Sequence, residues 1–322
     1  MKRKVTKSDI NLSPAAESDA GLIHDIKYKA FLPLYEKYHD DETNPVKEPI
    51  DKTVRLINQD YTDYLLIKYQ GSIVGGIRIV HKDTGIFRIS PLFILPEYQN
   101  IGIASTALEL VFEKYPDAVV WRLSTILQET GNCRFYEKLG FVRNSFVNKV
   151  NYKMTLIGYE KSCVTVRKFK NSDADEVADL VIRNFKEVNI KDYGQEAIDE
   201  LVKTHDAQWV LQVASYAHMY VFCHHDKIVA TGSISSYWGS PTESILLTVF
   251  VLPEYHGMGI GRKIIDTLEK DELFKRASRV EIPASITAVE FYRKFGYDFK
   301  NGKKELDEEN LYRLEKYKAP SL

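Results

Sequence analysis

Leu95-Pro96-Glu97-Tyr98 returns 157 residues later as Leu252-Pro253-Glu254-Tyr255. The six residues after each tetrapeptide keep that offset: Gln99-Asn100-Ile101-Gly102-Ile103-Ala104 first, then His256-Gly257-Met258-Gly259-Ile260-Gly261. A later block, Phe135-Tyr136-Glu137-Lys138-Leu139-Gly140-Phe141, is echoed as Phe291-Tyr292-Arg293-Lys294-Phe295-Gly296-Tyr297 at an offset of 156. Two matched blocks, in one order and at nearly constant spacing, define a duplicated domain. Stacked solenoid repeats are excluded, because their units run to about 20–50 residues. The length of 322 residues suits two domains of about 150 each. The boundary is expected near residue 160, giving domains at 1–160 and 161–322. Residues 151–157 are expected to close the first domain as a strand and residues 164–167 to open the second. Asn171-Ser172-Asp173 then supplies capping chemistry for a helix through Val177, Leu180, Val181 and Phe185. No long flexible linker intervenes, so the halves are expected to pack as an internal pseudo-dimer within a monomer.

In the first copy, residues 86–95 are rich in Ile, Phe and Leu and read as a strand. Pro91 inside it implies a bulge, since proline has no ladder donor. Pro96 ends the strand. A helix follows, with Ala104, Ala107, Leu108 and Val111 at i, i+3, i+4, i+7 spacing. The second copy repeats the pattern, with a strand at 245–252 and Ile260, Ile264 and Leu268 on the buried helix face. The small residues of both loops therefore sit where a strand turns into a helix. They let the backbone approach a ligand closely, and the unpaired amides of a helix's first turn favour an anion. Gln99 or His256 can add a hydrogen bond. Neither loop has the lysine of a nucleotide P-loop or the spacing of a dinucleotide fingerprint. The device reads as a phosphate cradle, with simple close packing of helix on strand as the alternative.

Charge balance narrows the partners. Lys plus Arg number 44 and Asp plus Glu 45, so the footprint of a nucleic-acid binder is missing. Cys133, Cys163 and Cys223 are scattered, and neither a zinc site nor a disulfide framework is expected. No metal is expected, and a reducing cytoplasm is the simple reading. No stretch approaches the roughly 18 apolar residues of a membrane span. The start, Met1-Lys2-Arg3-Lys4, is basic without an apolar run behind it, so no signal peptide is read.

The order of motifs resembles the GNAT family of acyl-coenzyme-A-dependent N-acetyltransferases. Its pattern is Gln/Arg-x-x-Gly-x-Gly/Ala after a strand ending in Pro-Glu-Tyr, followed later by a Phe-Tyr-Glu-Lys-Leu-Gly-Phe block. The first copy matches throughout, and the second has His256 in the Gln/Arg place. The resemblance implies an α/β fold of two GNAT-like domains, each a splayed, mostly antiparallel mixed sheet flanked by helices. It implies acetyl-coenzyme A as co-substrate. Gln99, Asn100, Ile101, Gly102, Ile103, Ala104, Ser105 and Asn132 would hold it in the first copy. His256, Gly257, Met258, Gly259, Ile260, Gly261 and Arg262 would do so in the second. The pantetheine arm would pair with strand backbone at Phe93, Ile94 and Leu95, or at Phe250, Val251 and Leu252. The implied reaction is direct attack of a small molecule's primary amine on the thioester, with Tyr136 and Tyr292 as proton donors to the departing thiolate. Cys133 is not needed as a nucleophile.

The copies are unequal, since Asn132 corresponds to Ala288. A chain with one catalytic half and one structural or coenzyme-sensing half is the alternative. Acceptor candidates are the acidic stretch Glu36, His39, Asp40, Asp41 and Glu42, and in the second half Glu187, Asp192 and Tyr193. For the acidic stretch, a solvated helix end is the competing reading.

Overall fold

The computed structural model describes residues 5–318; the basic start at residues 1–4 lies outside them. The chain divides into two compact units, Met1–Cys163 and Val164–Leu322. The first contains β1 (Ile10–Pro14), α1 (Ala20–Tyr38), α2 (Ile50–Ile57), β2 (Thr62–Tyr69), β3 (Ser72–Asp83), β4 (Ile86–Ile94), α3 (Ile103–Lys114), β5 (Val120–Ile126), α4 (Thr130–Lys138), β6 (Val142–Lys149) and β7 (Thr155–Ser162). Its strands lie in the order β1-β2-β3-β4-β5-β7-β6. Every neighbouring pair is antiparallel except β4–β5.

The second unit contains β8 (Thr165–Lys168), α5 (Ala174–Asn184), a π-helical turn (Phe185–Asn189), α6 (Ile190–Tyr193), α7 (Gln195–Thr204), α8 (Ala207–Tyr216), β9 (His218–His224), β10 (Lys227–Ser236), β11 (Glu243–Val251), α9 (Ile260–Leu268), α10 (Glu272–Arg276), β12 (Arg279–Ala284), α11 (Val289–Arg293), β13 (Asp298–Phe299) and β14 (Tyr312–Tyr317). Its order, β13-β14-β12-β11-β10-β9-β8, is that of the first unit read from the other edge. The one parallel pair is again central, β11–β12. The duplication is therefore one of topology as well as of motif. Strands β4 and β11, the 3-10 turns Pro96–Tyr98 and Pro253–Tyr255, and the first residues of α3 and α9 are all 157 apart.

Two irregularities in each central strand position the site. The first is a bulge. The register of β4 on β3 shifts between Ile77 and Ile79, opposite the Ser90–Pro91 step, whose peptide bond is cis. Pro91 has no amide to give the ladder. Arg78 braces the bulge, donating from Nη1 to the Ser90 carbonyl at 3.0 Å and from Nη2 to Gln59 Oε1 at 2.6 Å. The second unit makes the same shift between Thr231 and Ser233 without a proline. There Thr248 takes φ +49°, and the Ser233 hydroxyl donates to the Leu247 carbonyl at 3.0 Å. The second irregularity is a split. β4 pairs with β5 over residues 86–88 alone, and β11 with β12 over residues 243–245 alone. Beyond those residues the parallel neighbours have no shared register, and one edge of each central strand faces a gap.

The cores follow the apolar periodicity. Ile103, Ala107, Leu108 and Val111 are buried on α3, and Trp121 is 1% exposed among Phe87, Phe112 and Tyr115 at 5.2, 5.1 and 6.0 Å. Ala104 is half-buried, so the buried face begins at Ile103, one residue before the expected start. On α9 the buried residues are Ile260, Ile264 and Leu268, as the spacing predicts, together with Ile265. The closing strand differs from expectation. Residues 151–153 bend, because the Asn151 side-chain oxygen accepts from the amides of Lys153 at 2.8 Å and Met154 at 3.0 Å, a local turn that competes with extended chain. β7 then runs through residue 160 to Ser162.

Candidate coenzyme and acceptor sites

Each loop between central strand and helix has two left-handed residues in the same places. They are Asn100 (φ +60°) and Gly102 (φ +101°) in the first unit, Gly257 (φ +75°) and Gly259 (φ +80°) in the second. L-residues with a Cβ avoid this region, asparagine least of all. A Cβ at Gly102 would meet no atom closer than 3.8 Å, so conformation rather than space selects that glycine. Gly261 is selected by space: an added Cβ would lie 3.0 Å from the Phe291 ring. Its smallness lets the later motif block pack on the helix start. The first helical bonds are Thr106 N–H to Gly102 O at 3.1 Å and Lys263 N–H to Gly259 O at 3.1 Å. The amides of Ile103, Ala104 and Ser105, and of Ile260, Gly261 and Arg262, are left for an anion. In the second unit Arg262 and Lys294 line a cavity shared with this loop and add positive charge.

Gln99 and His256 do not point at that anion site. Gln99 Nε2 donates to the Ile94 carbonyl at 2.8 Å, and His256 Nε2 lies 2.9 Å from the Val251 carbonyl. A carbonyl only accepts, so Nε2 of His256 carries the proton. The two side chains make one bond, five residues back, closing the loop onto the end of its strand. The physical reason is the split: a carbonyl without a neighbouring strand needs a donor. Histidine and glutamine are interchangeable here because each presents one N–H at similar reach.

The strand edges also correct an expectation. Leu95 donates its amide to the Val74 carbonyl at 2.8 Å and Leu252 to Val229 at 2.9 Å. In an antiparallel pair, alternate residues turn to opposite sides. Phe93, in register with Gly76, and Phe250, in register with Thr231, therefore face the same neighbours as Leu95 and Leu252. Of the three residues expected to meet the coenzyme in each copy, Ile94 and Val251 are the ones whose main chain turns to the gap.

The tyrosine block repeats as geometry. Tyr136 lies 5.0 Å from Phe135 and 5.8 Å from Phe141; Tyr292 lies 5.0 Å from Phe291 and 6.4 Å from Tyr297. Gly140 and Gly296 (φ +85° and +83°) cap the helices in the left-handed conformation. Burial pushes the Tyr136 hydroxyl up to about 12 and raises that of Tyr292 as well. Both phenols are thus held neutral, the form that can donate a proton. Asn132 is exposed on α4, and its counterpart Ala288 lines the second unit's cavity. Cys133 is buried, its Sγ 3.8 Å from the carbonyls of Ile126 and Leu127, as a packing residue would be.

A cavity of about 1260 Å³ opens in the second unit. It runs from the loop at His256, Gly257 and Gly259, past Val251 and Tyr292, to residues of the π-turn, α7 and α8. Phe185, His205, Trp209 and Tyr216 line it, and the sequence reading missed all four as site residues. Their signal is the pair His205 and Trp209, four residues apart across the turn from α7 into α8, in a segment without a motif counterpart in the first copy. The acidic candidates fare differently. Asp40 is buried and accepts from the amides of Glu42 at 3.1 Å and Thr43 at 2.9 Å; it shapes a turn. Glu187 pairs with Arg183 at 2.9 Å, and Asp192 accepts from Thr287 Oγ1 at 3.0 Å. Tyr193 lines the cavity with a hydroxyl that is buried and without a hydrogen-bond partner. Among the described residues no group of three or more His, Cys, Asp or Glu side chains is placed to hold a metal. No helix among them is long and apolar enough to cross a membrane.

Splayed sheet, bulged central strand and loop-to-helix cradle, present twice, define an acetyltransferase fold. The acetyltransferase (GNAT) family model matches residues 27–141 and again 180–297, together more than half of the chain. This chain belongs to that family. It is similar to the uncharacterized protein YrkN of Bacillus subtilis (strain 168), 26% identical over 140 residues covering 43% of this chain and 76% of that one. Among solved structures it is similar to an N-acetyltransferase of Thermoplasma acidophilum in complex with coenzyme A. That match has 16% identity, covers 48% of this chain and 98% of the other, and has a TM-score of 0.39. It is also similar to spermidine N-acetyltransferase of Vibrio cholerae in complex with coenzyme A and spermine, with 16% identity, 48% and 96% coverage and a TM-score of 0.39.

Proposed function

We propose that the chain transfers acetyl from acetyl-coenzyme A to a primary amine of a small molecule. The observation that carries this reading is the cradle with its strand-edge amide and neutral tyrosine, built twice from the same positions. The amides of residues 103–105 and 260–262 take the pyrophosphate. The Ile94 and Val251 amides face the gap where a thioester carbonyl gains negative charge as it is attacked, and a fixed donor there lowers the barrier. The amine nitrogen bonds the carbonyl carbon, the C–S bond breaks, and the thiolate takes its proton from Tyr136 or Tyr292. The proton lost by the amine leaves to solvent water, and water returns one to the tyrosinate.

The test is release of free coenzyme A thiol over a panel of primary amines. Active amines and a fall of about 10²–10⁴-fold in turnover for the double variant Tyr136→Phe with Tyr292→Phe support the reading, each single variant keeping the other half's share. Unchanged turnover in the double variant removes the tyrosines from the role.

One observation favours a second reading, in which a single half is catalytic: the large cavity joins cradle, Tyr292 and aromatic wall in the second unit. Tyr292→Phe alone would then abolish turnover, while Tyr136→Phe would leave it intact.

A further inference from the structure

The cavity of the second unit has two chemically different ends. One end holds the loop amides with Arg262 and Lys294. The other is a run of rings that begins on the central strand. Phe250 meets Phe185 edge-on at 5.6 Å and 88°, Phe185 meets His205 edge-on at 4.9 Å and 90°, and His205 lies 4.3 Å from Trp209. All four rings line the cavity. His205 adds no positive charge. Its Nδ1 lies 2.8 Å from the Leu201 carbonyl, an acceptor, so Nδ1 bears the proton, and burial pushes the ring's pKa down. The carboxylates in the lining are Glu200 and Glu309.

This wall suits some amines and not others. A linear polyamine carries several charges and needs carboxylates spaced along its path; the two in the lining are already paired, Glu200 with Lys203 at 2.6 Å and Glu309 with Arg313 at 2.7 Å, and the rest of this wall is rings. Aromatic edges and faces complement another ring, and ring faces attract an ammonium group. The volume exceeds the roughly 300–1,000 Å³ of an ordinary ligand pocket, leaving room for an acceptor beside a pantetheine arm. In the first unit the counterpart position is covered. Phe93, the counterpart of Phe250, is 4% exposed beneath Phe31 at 6.3 Å and Tyr64 at 6.5 Å.

We propose that the second unit's cavity receives a primary amine carried on an aromatic body, its ring seated among Phe185, His205, Trp209 and Phe250, which rests on the reading that the adjoining loop holds coenzyme A. Tyr193, whose buried hydroxyl is unpartnered, lines the same cavity and supplies a hydrogen bond to the acceptor.

The experiment is calorimetric titration of 2-phenylethylamine and of spermidine into the full chain saturated with coenzyme A, repeated with Trp209→Ala and Trp209→Phe. The expected result is tighter binding of 2-phenylethylamine than of spermidine. Trp209→Ala should weaken it about tenfold or more, as loss of a buried aromatic anchor does, and Trp209→Phe should retain most of the affinity. Unchanged coenzyme A affinity in both variants shows that the fold survives. Tighter binding of spermidine, or equal affinity of Trp209→Ala and the parent for 2-phenylethylamine, overturns the proposal. Thiol release is read separately. Binding of the aromatic amine without thiol release defeats the catalytic reading and leaves the pocket standing. Thiol release with short aliphatic amines alone defeats the pocket and leaves catalysis standing.

Discussion

Gly102 holds its backbone at φ +101° with open space where a side chain would go. An alanine there carries the left-handed cost of about 1–2 kcal/mol and nothing else. Gly102→Ala should therefore lower the first unit's unfolding free energy by about that amount in urea melts, and an unchanged midpoint would contradict the conformational argument. His256 tests the loop clamp. His256→Gln restores the donor found at Gln99 and should keep coenzyme A affinity. His256→Ala leaves the Val251 carbonyl without it and should weaken binding by about 0.5–1.5 kcal/mol. Equal affinities for the two variants would show that the bond is dispensable. Tyr136 sets a pH expectation. Its hydroxyl stands at about 12, so a rate that depends on its proton should show no alkaline limb below about pH 11; a limb near pH 8 would exclude it. The sign for stability follows from the same shift. The folded state holds this proton more tightly than unfolded tyrosine, which ionises near 10. Its contribution is full below about pH 10 and is lost as the pH rises towards 12.

At the scale of elements, the bulge and the split make the site, and only the first was partly legible in the sequence. Pro91 announces its bulge, whereas the second unit makes the same bulge at Thr248 with φ +49° and no proline to mark it. Gly102 and Gly259 were legible as loop glycines, read as room for a close ligand, whereas the structure gives them a left-handed backbone. The inward turn of Gln99 and His256 was not legible, since it depends on a carbonyl stranded by the split. Nor was the strand phase that leaves Ile94 and Val251 facing the gap, because the bulge sets that phase. The close approach of α9 to β10 gives an element-scale test. An added Cβ at Gly232 would lie 2.4 Å from Ile264 Cγ2, so Gly232→Ala must push the helix away. The expected cost is about 1–3 kcal/mol, in the range of overpacked cores, read from the second unit's melting transition. A neutral result would mean that the helix shifts freely.

For the whole molecule, duplication is the fact that everything else hangs on, and it was plain in the sequence because strand, turn and helix start all keep one offset of 157 residues. The divergence between copies was less plain. Phe185 lies 20 residues before the His205 and Trp209 pair, and none of the three has a motif counterpart in the first copy, so only folding gathers them. Conservation of both cradles alongside divergence of the acceptor side fits two coenzyme sites serving unequal acceptor pockets. Calorimetric titration of the full chain with acetyl-coenzyme A tests this most directly. Two sites per chain are expected, with one lost in Gly259→Val and the other in Gly102→Val, and a parent chain that binds no acetyl-coenzyme A would contradict it.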